Sequence, residues 1–290
     1  METMNKILRK RILSPGVKDL LVETPRIARK RQAGQFVMLR VSETGERIPL
    51  TIADADPEAG WIRLIFQEVG HSTLELGRLE VGDSILDLAG PLGRPTHVEN
   101  KGTVVCVGGG IGTAPVHPIA CAMKAAGNRV ISILGARTAE LLIMEEEMGA
   151  TSDELLICTD DGSKGRQGFV TNVLQDLIER GETIHEVVAI GPVVMMRAVS
   201  EVTRAHGIST VVSLNATMVD GTGMCGGCRV TVNGRSRFVC VDGPEFDGHA
   251  VDFAELQQRQ RAYLTQERQA LEADHVCHIG RDQPFSGRSE

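Results

Sequence analysis

TVVCVGGGIGTAPVHPIACAM, residues 103–123, runs an apolar strand into a glycine-rich turn and then into a helix. The strand, Thr103–Val107, has no polar alternation, the pattern of a strand covered on both faces. Gly108, Gly109, Gly110 and Gly112 let the backbone approach a pyrophosphate. The start of the following helix favours the negative charge. The loop comprises Gly108, Gly109, Gly110, Ile111, Gly112, Thr113, Ala114 and Pro115, with Thr113 where a G-x-G-x-x-G fingerprint has its third glycine. Taken alone, the turn reads equally well as purely structural.

Downstream, apolar strands are predicted at Val130–Leu134, Leu155–Thr159, Val187–Ile190 and Thr210–Leu214. Helical stretches separate them at Ala114–Ala126, Ala139–Met148, Phe169–Glu179 and Val193–His206. This alternation predicts a doubly wound parallel sheet over residues 99–214. Upstream, residues 1–98 read as short strands between Gly and Pro turns, at Lys6–Leu13, Val17–Glu23, Gln35–Val41, Trp61–Glu68 and Ser84–Leu88. They predict a small antiparallel barrel with a short helix at Thr73–Leu79. Residues 215–250 are rich in Gly and Cys and leave little room for regular structure. A polar, exposed helix is expected from Phe253 to about Ala273, then a tail, so that 251–290 stand apart.

The 290 residues fit about two domains. With 42% apolar and 24% charged residues, the chain can bury a core. A net charge of −7 and only 3% aromatic residues exclude a general nucleic-acid binder. Residues 1–47 carry eleven Lys/Arg against five Asp/Glu, and the basic run Arg26, Arg29, Lys30, Arg31 reads as a solvated strand edge. No secretory signal and no membrane-spanning run is visible, which points to the cytoplasm. Seven Cys in a reducing compartment argue for metal or redox roles before disulfides.

The strongest chemical signal is Asp220-x4-Cys225-x2-Cys228-x11-Cys240. Plant-type 2Fe–2S ferredoxins use Cys-x4-Cys-x2-Cys and a distant fourth Cys; here Asp220 stands in the first position. Gly221, Gly223, Gly226 and Gly227 allow the backbone to wrap and aim amides at sulfur. Three Cys with a carboxylate also suit zinc, and incidental thiols in a loop are the bland alternative. Cys106, Cys121 and Cys158 fall in predicted elements and read as small buried side chains. His275, Cys277 and His278 lack a fourth ligand and read as solvated tail.

Arg47-Ile48-Pro49-Leu50-Thr51 sits at the end of a predicted barrel strand. The order of motifs is informative: R-x-P-L-T, then Gly90-Pro91-Leu92-Gly93, then the glycine loop, then the cysteine set. In that order the chain resembles the ferredoxin–NADP+ reductase superfamily. Within it, the resemblance is to FAD/NAD-binding electron-transfer subunits related to the dihydroorotate dehydrogenase iron–sulfur subunit. It is closest to the small subunits of NADH-dependent reduced ferredoxin:NADP+ oxidoreductases, also called sulfide dehydrogenase beta subunits. It covers about residues 5–260.

The resemblance implies that Arg47, Pro49, Leu50 and Thr51 bind FAD, with Gly70, Ser72 and Thr73 at its pyrophosphate. It implies a nicotinamide-nucleotide site at Gly108–Pro115, Asp160, Asp161, Gly162, Gly191, Pro192 and Met195. A 2Fe–2S cluster would be held by Asp220, Cys225, Cys228 and Cys240. Asp220 in place of a fourth Cys points away from pyrimidine synthesis and toward the transhydrogenase type. Pro49 takes the place where many reductases of the superfamily stack an aromatic on the flavin. Asp160 and Asp161 beside a ribose would favour NAD(H), whereas Arg137 argues for NADP(H). No acid–base catalyst is demanded. The implied partner is a larger flavin/iron–sulfur subunit, with ferredoxin served through it, in an electron-bifurcating complex. A stand-alone ferredoxin or sulfur reductase and a non-catalytic redox-sensing subunit are the other readings.

Overall fold

The computed structural model describes residues 5–279, with side chains to 271. The first unit is an antiparallel sheet of β1 (Ile7–Ser14), β2 (Val17–Glu23), β3 (Phe36–Arg40), β4 (Ile48–Asp56), β5 (Trp61–Gln67) and β6 (Asp87–Leu92). The strand order is β1-β2-β5-β4-β3-β6, and a bridge from Lys6 to Ser84 draws its two ends together into a barrel. Its core is aliphatic: Ile7, Leu20, Leu39, Ile52, Ile62 and Leu64 are fully buried.

Several expectations change here. R-x-P-L-T opens β4 rather than ending a strand, and pairs with β3 from Leu39–Ile48 to Phe36–Thr51. Ser84 contributes only the bridge, and the strand expected at Ser84–Leu88 runs Asp87–Leu92. The basic run is not a strand edge but the short helix α1 (Pro25–Ala28) and the turn after it, where Pro25 takes the first helical position. Helix α2 (His71–Arg78) starts earlier than Thr73 because Thr73 Oγ1 accepts from the Val69 and Gly70 amides, both at 3.0 Å, and so caps it.

The second unit is a parallel sheet of β7 (Thr103–Gly109), β8 (Arg129–Ala136), β9 (Glu154–Thr159), β10 (Arg166–Gln167), β11 (Glu186–Ile190) and β12 (Ser209–Ser213). Helices α3 (Thr113–Ala125), α4 (Glu145–Thr151), α5 (Val170–Glu179) and α6 (Val193–Ala205) cover both faces. The helix expected at Ala139–Met148 is instead a 3-10 turn at Ala139–Leu141 and α4, interrupted at Met144, whose φ is 57°. A left-handed residue cannot continue a helix.

Residues 215–250 hold more regular structure than their composition predicts. β13 (Arg229–Val232) and β14 (Arg235–Phe238) form a hairpin, followed by α7 (Val239–Asp242). β15 (Glu245–Asp247) then adds antiparallel to β12, so the cysteine module is built onto the edge of the parallel sheet. The polar C-terminal helix is two helices. α8 (Phe253–Gln260) buries Phe253 and Leu256, one turn apart, and is capped by Asp252, which accepts from the Glu255 amide at 2.9 Å. α9 spans Leu264–Ile279; the side chains of His275, Cys277 and His278 lie outside the described residues.

An ion network, buried at its Arg63–Asp19 centre, links the two units through the half-exposed Glu147. Arg63 on β5 grips Asp19 of β2 with Nε and Nη2 at 3.0 and 3.1 Å, and reaches Glu147 of α4 with Nη1 at 2.8 Å. The paired, two-pronged contact fixes the angle as well as the distance.

Glu245 lies in the other seam. Its Oε1 accepts from Thr96 Oγ1 at 2.6 Å, in a place so tight that a methyl on Gly34 would sit 2.4 Å from it. Burial pushes its carboxyl up to about 7, helped by Glu186 and opposed by Thr96 and Lys101. An unfolded Glu titrates near ~4.3, so between that value and about 7 the folded state holds a proton that the unfolded state has lost. Stability at this group therefore falls as pH rises through that window, by on the order of 3 kcal/mol. Glu245→Gln is expected to be more stable than the parent at pH 8 and nearly equal at pH 5. Thermal melts at the two pH values check this, and a larger gain at pH 5 would refute it.

Candidate functional site

The strand order β9-β8-β7-β11-β12 reverses direction between β7 and β11. In doubly wound sheets, ligands bind beyond the carboxyl ends of the strands at such a switch point. Both strands end there in glycine turns, Gly110–Gly112 after β7 and Gly191–Pro192 after β11. A cavity of about 1130 Å³ opens at this point and extends to the barrel. Its barrel wall includes Pro49, Leu50, Thr51 and Thr73; its sheet wall includes Gly109–Gly112, Ala114 and Pro115. Asp160, Gly191, Pro192 and Met195 complete it. This is ample room for an extended dinucleotide ligand.

At two of the glycines, Gly108 and Gly112, an added methyl would run into backbone or α-carbon atoms. A methyl on Gly109 would lie 2.3 Å from Met195 Sδ, and one on Gly108 would lie 2.9 Å from Thr113 Cα. The second contact explains how Thr113 occupies a glycine's usual place: the clearance is supplied at 108 instead. Gly110, at φ 55°, turns the loop in the left-handed region.

Not every expected residue lines the cavity. Arg47 is exposed at the mouth of β4 and is not among the lining residues. Ser72 is buried and Gly70 carries the α2 cap. Asp161 turns to its own loop, where its Oδ1 accepts from Ser163 N and Oγ at 3.0 and 2.6 Å. Those bonds from Ser163 hold its carboxyl below the ordinary range. Gly162, at φ 76°, shapes the same turn. Asp160 and Arg137 both line the cavity, so the two opposing specificity signals meet at one place.

Other lining residues stand outside the expected binding set. Phe169, just after the Asp160–Gly162 turn, is 61% exposed and lines the cavity. Ser213–Ala216 form part of the wall, and Gln260 of α8 donates to Asn215 O at 2.9 Å and to its Oδ1 at 3.0 Å. That contact joins residues 45 apart, beyond the reach of any motif. Cys158 is buried as expected and also lines the cavity, its thiol pushed up to about 11 by burial. Cys106 is buried, but Cys121 is only half-buried, contrary to expectation.

The wall at Ser213–Ala216 leads through Met218 into the cysteine loop. The loop rests on the barrel: a methyl on Gly221 would lie 2.5 Å from Met38 Cγ of β3 and 3.0 Å from Leu92 of β6. Cys228 and Cys240 are buried with their sulfurs 3.3 Å apart. Cys225 is exposed, and its amide donates to Asp220 Oδ2 at 2.7 Å while Thr222 N donates to Oδ1 at 2.8 Å. The Thr222 bond, joined by that of Cys225, holds the Asp220 carboxyl below its ordinary range. Backbone amides also reach sulfur: Gly227 N to Cys225 and Cys240 N to Cys228, both at 3.4 Å.

The four side chains thus form an inner pair, Cys228 with Cys240, and an outer pair, Asp220 with Cys225. Among the described residues no group of three His, Cys, Asp or Glu converges on one point. One thiol pair and one carboxylate–thiol pair, with amides aimed at sulfur, suit a two-iron cluster, which takes two protein ligands per iron. Burial and the Cys228 thiol push Cys240 up to about 12, so thiolate here calls for a cation beside it.

Residues 215–252 match the iron–sulfur cluster binding domain of dihydroorotate dehydrogenase B. The chain is 47% identical to the dihydroorotate dehydrogenase B (NAD(+)) electron transfer subunit homolog of Thermotoga maritima, over 93% of this chain and 95% of that protein. A chain in the structure of NADH-dependent reduced ferredoxin-NADP oxidoreductase superposes with a TM-score of 0.89 at 45% identity, covering 94% of this chain and 98% of the other. The ferredoxin reductase of carbazole 1,9a-dioxygenase, at 20% identity and a TM-score of 0.60 over 70% of this chain and 65% of its own, shares the reductase fold. No described helix is long and apolar enough to cross a membrane. The likeness to the Thermotoga protein runs through barrel, sheet and cysteine module alike, and the chain belongs to the family of dihydroorotate dehydrogenase B electron-transfer subunits and their homologues.

Proposed function

We propose that this protein is a cytoplasmic FAD- and 2Fe–2S-containing subunit that exchanges electrons between NAD(H) and a larger flavin/iron–sulfur partner. We further propose that the complete system is an electron-bifurcating NADH/NADPH/ferredoxin transhydrogenase. Residues 1–98 form the FAD domain, 99–214 the nucleotide domain, 215–250 the cluster module and 251–290 a C-terminal extension. The supporting observation is a continuous wall. One cavity runs from the nucleotide loop to β4, and the chain leaves it at Met218 to form the cysteine loop seated on the barrel.

A bound flavin supplies the exchange between two-electron hydride chemistry and one-electron cluster chemistry. The protein's own residues position and exclude. Leu50 and Thr51 shape the barrel side of the cavity, and Gly109–Gly112 present amides at the start of α3. Gly191, Pro192 and Met195 close the nicotinamide side. Asp160 in the wall favours a ribose hydroxyl over a 2′-phosphate, hence NAD(H). Asp220, Cys225, Cys228 and Cys240 hold the cluster. Beside it, Met224 is 89% and Val219 57% exposed, an apolar rim suited to the partner subunit.

Anaerobically purified protein is expected to contain FAD, iron and acid-labile sulfide. NADH should bleach the flavin and then produce a reduced-cluster signal. Zinc in place of iron, or no bleaching with either nicotinamide, overturns the reading. Ferredoxin-dependent NADP+ reduction that appears only when the larger subunit is added supports the bifurcating system over a stand-alone reductase.

A further inference from the structure

Helix α3 carries a second reactive group outside the cavity. His117 and Cys121 are four residues apart and share a helix face. Cys121 Sγ lies 3.5 Å from His117 Nε2 and 3.5 Å from Thr151 Oγ1 of α4. Thr151 Oγ1 also lies 3.0 Å from Glu147 O, and its single proton can turn from that carbonyl to the sulfur when Cys121 ionises. The barrel supplies Arg31, whose Nη2 lies 3.5 Å from Asp54 of β4. Two nitrogens in this seam, His117 Nδ1 and Arg31 Nε, are buried with no hydrogen-bond partner. Buried donors of this kind call for an acceptor that the protein does not provide.

The electrostatics favour a reactive thiol. Burial opposes ionisation of Cys121, but the bonds from His117 and Thr151 and the His117 charge outweigh it and set the thiol below its ordinary value. Burial likewise opposes charging of His117, and its bond to Cys121 and the charges of Cys121, Glu147 and Asp54 outweigh it. Arg31 and Asp54 from the barrel and Glu147 from α4 are the other charged groups facing the pair. Cys106 and Cys158 offer no such reactivity, with burial pushing their thiols up to about 12 and about 11.

We propose that Cys121 and His117 form a thiolate–imidazolium pair and that Cys121 is a site of reversible modification by acidic low-molecular-weight disulfides. The thiolate attacks one sulfur of the disulfide. A bond forms from Cys121 to that sulfur, the original S–S bond breaks, and the other half leaves as a thiolate that takes a proton from solvent. The Cys121 sulfur is oxidised and the leaving sulfur reduced, and a second thiol reverses the exchange. Arg31 Nε and His117 Nδ1 supply donors for a carboxylate on the retained half. The adduct wedges between α3 and the barrel, and α3 carries the nucleotide loop at its start.

The test uses the cofactor-loaded protein and peptide-resolved mass spectrometry, which reads the sulfur whether or not the electron-transfer reading holds. With 3,3′-dithiodipropionate at pH 7, Cys121 is expected to form the mixed disulfide at least about tenfold faster than in His117→Asn. Its alkylation by iodoacetamide should show a pH midpoint below the ordinary thiol value of about 8.5, moving up in His117→Asn. The adduct should lower NADH–ferricyanide turnover, dithiothreitol should restore it, and Cys121→Ser should keep full turnover throughout. Equal rates in the parent and a folded His117→Asn, no modification at pH 7, or equal reactivity toward uncharged 2-hydroxyethyl disulfide would overturn the proposal.

Discussion

Cys228→Ala is expected to lose all iron and acid-labile sulfide while still binding FAD and bleaching it with NADH. The asymmetry of the cysteine loop is the reason. Cys228 and Cys240 are buried, 3.3 Å apart, just before β13 and in α7, both parts of the packed core. Packed elements hold this pair, whereas Cys225, the remaining thiol of the set, is exposed on the loop. The outer pair sits on the glycine loop, where Gly221, Gly223 and Gly226 have φ values of 75°, 84° and 66°. Asp220→Cys should therefore keep a cluster, at a shifted potential, because a thiolate replaces a carboxylate in a position already aimed by the loop. It also gives up the two amide bonds that Asp220 accepts from Thr222 and Cys225, so its cluster should be lost faster in air. Iron and sulfide assays with electron paramagnetic resonance of the reduced protein decide the matter. A full cluster in Cys228→Ala would remove that residue from the ligand set, and absence of flavin would mean that the substitution had damaged the fold instead.

The parts of this molecule legible in its sequence are those governed by short-range rules. The parallel strands are apolar on both faces, and β7, β8, β9, β11 and β12 fall within a residue or two of their expected places. The cysteine spacing and the glycine loop are local in the same sense. Tertiary contacts decided the rest. Glu245–Asp247 is a three-residue stretch that becomes a strand only because the edge of β12 lies free beside it. Phe253 and Leu256 look like stray apolar residues in a polar helix until the core they enter is known. Thr73 reads as a ligand contact from its motif, yet its hydroxyl also closes the α2 cap. Arg47 belongs to a recognisable motif but stands outside the cavity wall, since a motif carries order along the chain and no direction for a side chain.

Gly112→Ala is expected to weaken NADH binding about a hundredfold and to lower the melting temperature, for a purely steric reason. Gly112 has a φ of −62°, open to any residue, so conformational strain plays no part. A methyl there would meet Ile190 O at 2.1 Å, Ile190 C at 2.6 Å and Gly191 Cα at 2.8 Å. All three are backbone atoms of β11 and its turn, held by the ladder to β7, and no side chain can swing aside to relieve the contact. The start of α3 must move away from β11 by roughly an ångström, and overpacking of this kind costs about 1–3 kcal/mol. The same displacement separates the two glycine turns that flank the switch point, and misplacement on that scale costs about a hundredfold in a positioned site. Gly110→Ala is the informative contrast. Nothing lies within 4 Å of a methyl at that position, and its φ of 55° leaves only the left-handed penalty of about 1–2 kcal/mol per residue. Gly110→Ala should therefore lose stability on the same scale as Gly112→Ala, a few degrees of melting temperature, but without moving α3 away from β11. Titration of flavin bleaching with NADH and thermal scans of the three proteins separate these outcomes. If Gly112→Ala kept the parent's affinity and melting temperature, the close packing of α3 on β11 would not be what holds the nucleotide loop in place.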